Sequence, residues 1–302
     1  MAIFLTGATG FIGSAVLRAL RAQGREVVAL VRDEAKAAEV AAGGATPILG
    51  TLTDRELITK LALDSDGVIH LASPGDESSA PTDDTFVSAV FAGLEGSDKP
   101  YVHTGGIWVF GSAPDITERS PFNPPALTSW RVPIEKRVRL ASGIKTTIIA
   151  PGIVFGYGGG IPNLIAAGPV TEAAGGGPAL ELIGSGEQHW TTVYVDDLAE
   201  LYVLAFDLAE AGSYYIGASG ENPTVRALGE AAASSAAGTA SGTDGRVVPS
   251  TDTATRERLG ELFADALLLD QQATGSAARI DLGWEPNGPT LLEELRTGSY
   301  AG

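Results

Sequence analysis

The chain has 302 residues, 44% of them apolar, which is enough to bury a substantial core in one large domain or two smaller ones. Its 20 basic and 37 acidic residues give a formal charge of −17, a balance that repels phosphate backbones and anionic lipid and argues against nucleic-acid or membrane partners. The absence of cysteine excludes disulfides, thiolate nucleophiles and thiolate metal sites, and the three histidines, His70, His103 and His189, are too scattered along the chain to read as a ligand set, so no metal is expected.

The opening MAIFLTGATGFIG carries no basic leader and is interrupted by glycines, and no later apolar run reaches about 18 residues. A cytoplasmic protein is expected. Residues 2–6 read as a first strand and 11–23 as a helix with apolar residues at helical spacing, which Gly24 is placed to end in the left-handed conformation. Between them runs TGATGFIGS, residues 6–14, whose strand-to-helix context gives its glycines a function. Gly7 permits the tight turn, Gly10 lets the backbone approach a pyrophosphate, and Gly13 lets the helix close on the sheet, while Thr9, Phe11 and Ile12 complete the turn around helix amides that face phosphate.

Residues 26–31 read as a strand, 33–42 as a helix, 47–49 as a strand and 53–63 as a helix capped by Thr53 or Asp54. At the end of the second strand Val31 stands where an acid would hold the adenosine ribose of NAD, and Arg32 follows it. A guanidinium forks well onto phosphate, so Arg32 suits the 2′-phosphate of NADP(H) in preference to NAD(H); the alternative is an exposed arginine paired with Asp33 or Glu34. Further strands at 67–71, 101–104 and 146–150 alternate with helices near 83–94 and 129–141. This rhythm predicts an α/β protein with a Rossmann-type doubly wound parallel sheet, carried mainly by residues 1–155.

Residues 156–302 are less regular and read mainly as a smaller substrate-binding portion, with room for strands that return to the main sheet. Helices are expected at 196–208, 225–233, 256–266 and 290–295, and the low-complexity SSAAGTASGTDG at 234–245 reads as a mobile surface loop.

The motifs TGATGFIG, HLAS at 70–73, GGIWVFG at 105–111, PGIVFG at 151–156 and VYVDDLAELY at 193–202 together resemble the extended short-chain dehydrogenase/reductase superfamily, in its NAD-dependent epimerase/dehydratase branch. The resemblance spans nearly the whole chain. It implies that Leu71, Ala72 and Ser73 flank the middle of the cofactor, that Thr51 and Leu52 lie near the adenine, and that Pro151, Gly152 and Val154 lie against the nicotinamide. It also implies a homodimer formed through a helix pair.

The catalytic set departs from that pattern, which uses a serine or threonine followed by a YxxxK helix. The serine position falls on Gly106, with Gly105 and Thr104 before it, and the tyrosine and lysine positions fall on Arg131 and Glu135. An atypical branch of the superfamily has similar TSGIW-like and RxxxE-like segments. Arginine keeps its proton, so Arg131 can stabilise negative charge on a carbonyl oxygen but cannot cycle as an acid. Glu135 can accept hydrogen bonds from ribose hydroxyls; alternatively the two residues, four apart on a helix, form an ordinary ion pair. Thr104 offers a hydroxyl for catalysis or for hydrogen bonding, and Tyr157, at the start of a glycine-rich loop, is a candidate proton donor. Trp108 and Trp130 read as cavity wall or core, and His103 as a packed or surface residue.

QHWTTVYVDD lacks the arginine that nucleotide-sugar enzymes of the family place near Trp190. The resulting expectation is an NADP(H)-dependent reductase acting on a carbonyl or imine-type double bond of a small, uncharged, partly apolar molecule. The alternatives are a noncatalytic NADP(H)-binding sensor and an epimerase or dehydratase that recycles its cofactor.

Overall fold

A computed structural model describes residues 2–302. Seven parallel strands form the central sheet: β1 (Ile3–Thr6), β2 (Val27–Val31), β3 (Thr46–Leu49), β4 (Gly67–His70), β5 (Pro100–Thr104), β6 (Lys145–Pro151) and β7 (Ser213–Gly217). Their order is β7-β6-β5-β4-β1-β2-β3, so the direction of winding reverses between β1 and β4. The strand sequences, such as IFLT and VVALV, are nearly continuous apolar runs because helices cover both faces.

On one face, α1 (Phe11–Ala22) and α6 (Val195–Leu208) enclose a core containing Val16, Leu20, Leu198 and Tyr202. On the other, α3 (Arg55–Asp64), α4 (Ser79–Leu94) and α5 (Arg131–Arg139) cover Phe86, Val90, Tyr101 and Ile148. The remaining helix of this half, α2 (Glu34–Ala42), is capped by Asp33 through the amide of Lys36. A third core, with Phe155, Trp190, Leu228 and Leu295, organises the C-terminal portion. That portion also contributes β7 to the main sheet, together with a small sheet of Val170–Glu172, Pro178–Glu181 and Val247–Val248. No helix among the described residues is long and apolar enough to cross a membrane.

Two local expectations are corrected. The helix expected at 256–266 is two helices, Asp252–Leu259 and Glu261–Leu267, because Gly260 adopts φ +83 between them and breaks the hydrogen-bond ladder. The segment 234–245 is folded: Ser235 caps the helix Ala236–Ala240, and the buried hydroxyl of Thr243 donates to the carbonyls of Ala233 and Gly238. Its small residues permit close packing, which composition alone cannot distinguish from flexibility. The helix expected near 129–141 spans Arg131–Arg139, with Trp130 as a cap that provides no side-chain bond, so Pro133 falls in its first turn, where a missing amide proton is harmless.

Candidate active site

At the reversal point the glycine turn joins β1 to α1. Gly7 has φ +75 and its Cα packs against the Leu71–Ala72 peptide, leaving no room for a side chain. A Cβ on Gly13 would overlap the Gly7 carbonyl oxygen and lie 2.6 Å from the carbonyl carbon, so helix and turn meet only because both residues are glycine. Gly10 caps α1 without a side-chain bond, and no acidic residue occupies the first turn, leaving the first amides of the helix available to an anion. This cradle, which any Cβ would fill, fits a dinucleotide pyrophosphate.

A single cavity of about 1030 Å³ begins at this turn. Gly7, Gly10, Phe11, Ile12 and Gly13 line one end, Leu71, Ser73 and Thr104 the middle, and Pro151, Gly152 and Val154 the adjoining wall. Beyond them the walls are mainly apolar and include Ile107, Trp108, Trp130, Ile153, Leu262 and Phe263. Trp108 and Phe263 meet edge to face with ring centroids 6.1 Å apart. Leu262 and Phe263 carry no sequence signal, since they belong to a late helix that only the tertiary fold brings to the strand ends. Thr9 and Ala72 are half-buried behind the turn and do not border the cavity.

Arg32 and Thr51 follow the adjacent ends of β2 and β3, outside the cavity lining, and both are exposed. Leu52 packs on the core beneath. Among the described residues Arg32 has no ion pair, because Asp33 is engaged in capping α2.

Arg131 and Glu135, four residues apart on α5, differ sharply in environment. Arg131 lines the cavity, its Nη1 donates to the Thr104 carbonyl at 3.2 Å, and its guanidinium carbon lies 4.5 Å from the Trp130 ring centroid. Glu135 is 1% exposed and does not pair with Arg131: its Oε2 accepts from the Tyr214 hydroxyl at 2.9 Å, and Oε1 has no partner. Burial pushes the Glu135 carboxyl from its usual 4.5 up to about 7, only partly offset by the Tyr214 bond and the nearby Arg131 charge. Glu135 Oε1 would lie 2.7 Å from a Cβ on Gly105, whereas a Cβ on Gly106 would meet nothing within 4 Å.

The Thr104 hydroxyl donates to the His70 carbonyl at 2.6 Å and lies 2.8 Å from the Tyr202 hydroxyl. Its proton is therefore committed to the fold. Tyr157 is not among the residues brought to the cavity: it is 62% exposed at φ +50, and its hydroxyl donates to Asp196 on the surface. A positive φ in the glycine-rich loop turns the side chain outward. Tyr157→Phe is accordingly expected to leave turnover within about twofold of the parent; a hundredfold loss in a steady-state assay would show that the loop rearranges to bring the hydroxyl inward.

The histidines, scattered in sequence, meet in part in space, because the parallel register of β4 and β5 pairs His70 with His103. With Asp83 they place candidate ligand atoms within 4.8 Å of one another, all buried. The hydrogen bonds indicate a structural role. His70 Nε2 lies 2.8 Å from Asp83 Oδ1, so it donates to the ionised carboxylate, and His70 Nδ1 accepts from the Thr6 hydroxyl at 2.7 Å. Thr6 Oγ1 in turn accepts from the amides of Leu71 and Ala72. Burial pushes His103 down to about 4 despite the Asp83 charge beside it, and the Tyr101 hydroxyl lies 2.8 Å from His103 Nδ1. Trp190, Gln188 and His189 are likewise structural, bonded to the Leu267 carbonyl, the Ile183 carbonyl and Asp270.

Residues 3–94 match the model of the NAD dependent epimerase/dehydratase family. The uncharacterized protein C2A9.02 of Schizosaccharomyces pombe is 30% identical over 308 aligned residues, which cover 99% of this chain and 100% of that one. The 2-alkyl-3-oxoalkanoate reductase of Stenotrophomonas maltophilia is 27% identical over 256 residues, 76% of this chain and 73% of its own. Among solved structures, the human epimerase family protein SDR39U1 with NADPH superimposes with a TM-score of 0.73 over 99% of both chains at 19% identity, a likeness of fold.

Proposed function

This chain belongs to the NAD-dependent epimerase/dehydratase family, and on that premise we propose that it is an NADP(H)-dependent reductase of a carbonyl or imine-type double bond in a small, partly apolar molecule. The observation that carries this reading is the single cavity that begins at the phosphate turn, passes the nicotinamide-side wall and ends among Trp108, Trp130 and Phe263. Cofactor and apolar substrate would share it. Reductase activity in the name of the Stenotrophomonas relative, and NADPH in that of the human structure, point the same way.

In this reading the α1 amides and the glycine turn bind the pyrophosphate, and Arg32 binds the 2′-phosphate. A bound nicotinamide supplies the hydride. Arg131, held by Trp130 and the Thr104 carbonyl, would donate a hydrogen bond to the substrate oxygen and stabilise the negative charge that develops there. The proton that completes an alcohol comes from water, since Thr104 and Tyr157 are both engaged elsewhere. The apolar walls lower the local dielectric and so strengthen the Arg131 contact.

The Arg32 role is tested by cofactor titration. Arg32→Ala is expected to weaken NADPH binding at least about tenfold while leaving NADH unchanged; equal effects on both cofactors would remove the 2′-phosphate contact. Loss of the YxxxK pair favours a second reading, a noncatalytic NADP(H) sensor. Tight NADPH binding without oxidation by any of a panel of ketones, aldehydes and imines would select it. Cofactor retained through purification and regenerated in each turnover would instead select an epimerase or dehydratase.

A further inference from the structure

Arg131 makes no salt bridge with a carboxylate among the described residues. In a chain with 37 acidic and 20 basic residues, other arginines find carboxylates: Arg137 pairs with Asp84, Arg256 with Asp265, and Arg258 with Glu181. Arg131 has the Trp130 ring and one backbone carbonyl, neither of which carries a charge. Glu135, one turn away, faces Tyr214, and the Asp83 carboxylate, whose charge acts on Arg131 without direct contact, is hydrogen-bonded to His70.

Arg131 is also the only cationic side chain bordering the cavity among the described residues, and it opens α5, where the helix dipole adds to the positive potential. The carboxylates that border the cavity, Asp76 and Glu77, are exposed, and Asp76 is turned to the amide and hydroxyl of Ser78. A guanidinium fixed by stacking, with most of its donors free and apolar walls around it, is a preformed fork for a planar anion.

We propose that the molecule taken into this cavity carries a carboxylate, or a group of the same shape and charge, held by Arg131 beside the carbonyl, with its apolar part among Trp108, Ile153 and Phe263. The proposal rests on the reductase reading for the identity of the reacting group and refines it in one respect. The lack of a second arginine argues against a diphosphate, as the sequence suggested, but the uncharged substrate expected from the sequence gives way to a monoanion. Substrates of the 2-oxo or 3-oxo acid class meet this description. In their reduction hydride adds to the carbonyl carbon, water protonates the oxygen and the carboxylate is unchanged.

The test uses benzoylformate and its methyl ester, which share ring and carbonyl and differ in charge. Binding to the intact protein is measured by calorimetry with and without saturating NADP+, and NADPH oxidation is followed separately. The acid is expected to bind at least tenfold more tightly than the ester, and Arg131→Gln to abolish that difference, whatever it costs both compounds through the shared carbonyl. Arg131→Lys, which keeps the charge but not the fork, should retain part of the preference and serves if the glutamine variant does not fold. Equal binding of acid and ester, no binding of the acid at millimolar concentration, or a preference that survives in Arg131→Gln overturns the proposal. If the acid binds with the expected preference but neither compound oxidises NADPH while other carbonyls also fail, the reductase reading falls and the anion site stands.

Discussion

Gly13→Ala is expected to raise the dissociation constant for NADPH at least about 100-fold, a loss of about 3 kcal/mol, and to lower the melting temperature as well. The added carbon would overlap the Gly7 carbonyl oxygen and lie 3.1 Å from the Ala8 amide nitrogen, all backbone atoms that cannot rotate away. Relief requires α1 to move from the turn, taking with it the amides that face phosphate, and α1 is packed through Val16 and Leu20 into the core. Gly10→Ala separates folding from binding within the same motif: its Cβ would meet the Gly7 oxygen at 3.2 Å, a tight contact that a few tenths of an ångström relieves, so the melting temperature should fall less than in Gly13→Ala even where the added carbon weakens binding. Calorimetric titration and thermal unfolding of both variants check the two effects. If Gly13→Ala bound NADPH as well as the parent, the turn would not be the pyrophosphate site.

The second large effect is a pH dependence. The folded protein holds the Glu135 carboxyl at about 7 against an ordinary value of 4.5, because burial disfavours the charged form. Between those values the folded state keeps a proton that the unfolded state releases. Stability from this group is therefore complete below about 4.5 and is lost as pH rises through about 7. Glu135→Gln retains a Tyr214 partner but does not ionise. It should match the parent near pH 4.5 and become more stable by about 3 kcal/mol by pH 8. Taking the difference between the two proteins cancels every other titrating group. His103 acts in the opposite direction: with its folded value near 4 and an ordinary value of 6.5, its stability is lost as pH falls through that window. The parent should therefore show a nearly flat contribution from these two groups at intermediate pH, and the variant an exposed acid-side slope. Urea unfolding at five pH values measures it, and a constant offset between the proteins would mean that Glu135 ionises freely.

The parallel sheet was legible because β-branched runs alternate with helical spacing, and the phosphate turn because three glycines stand between a strand and a helix. Counting from GGIWVFG put Arg131 and Glu135 on one helix, as the structure has them. What sequence could not give was direction. Tyr157 follows a motif that borders the cavity, yet a left-handed backbone turns its hydroxyl to Asp196. Arg131 and Glu135 have the spacing of an ion pair, but one enters the cavity and the other enters the core. Leu262 and Phe263 reach the site through long-range packing that leaves no periodic trace, and the meeting of His70 with His103 depends on strand register.

The closeness of Glu135 to Gly105 also sets two neighbouring glycines apart. A side chain at 105 would meet Glu135 Oε1 and require that buried carboxyl to shift, whereas 106 has open space and an extended backbone that accepts any residue. Tolerance at adjacent positions of one loop is thus set by a side chain thirty residues further along the chain, and the site can gain a hydroxyl at 106 at lower cost to the core than at 105.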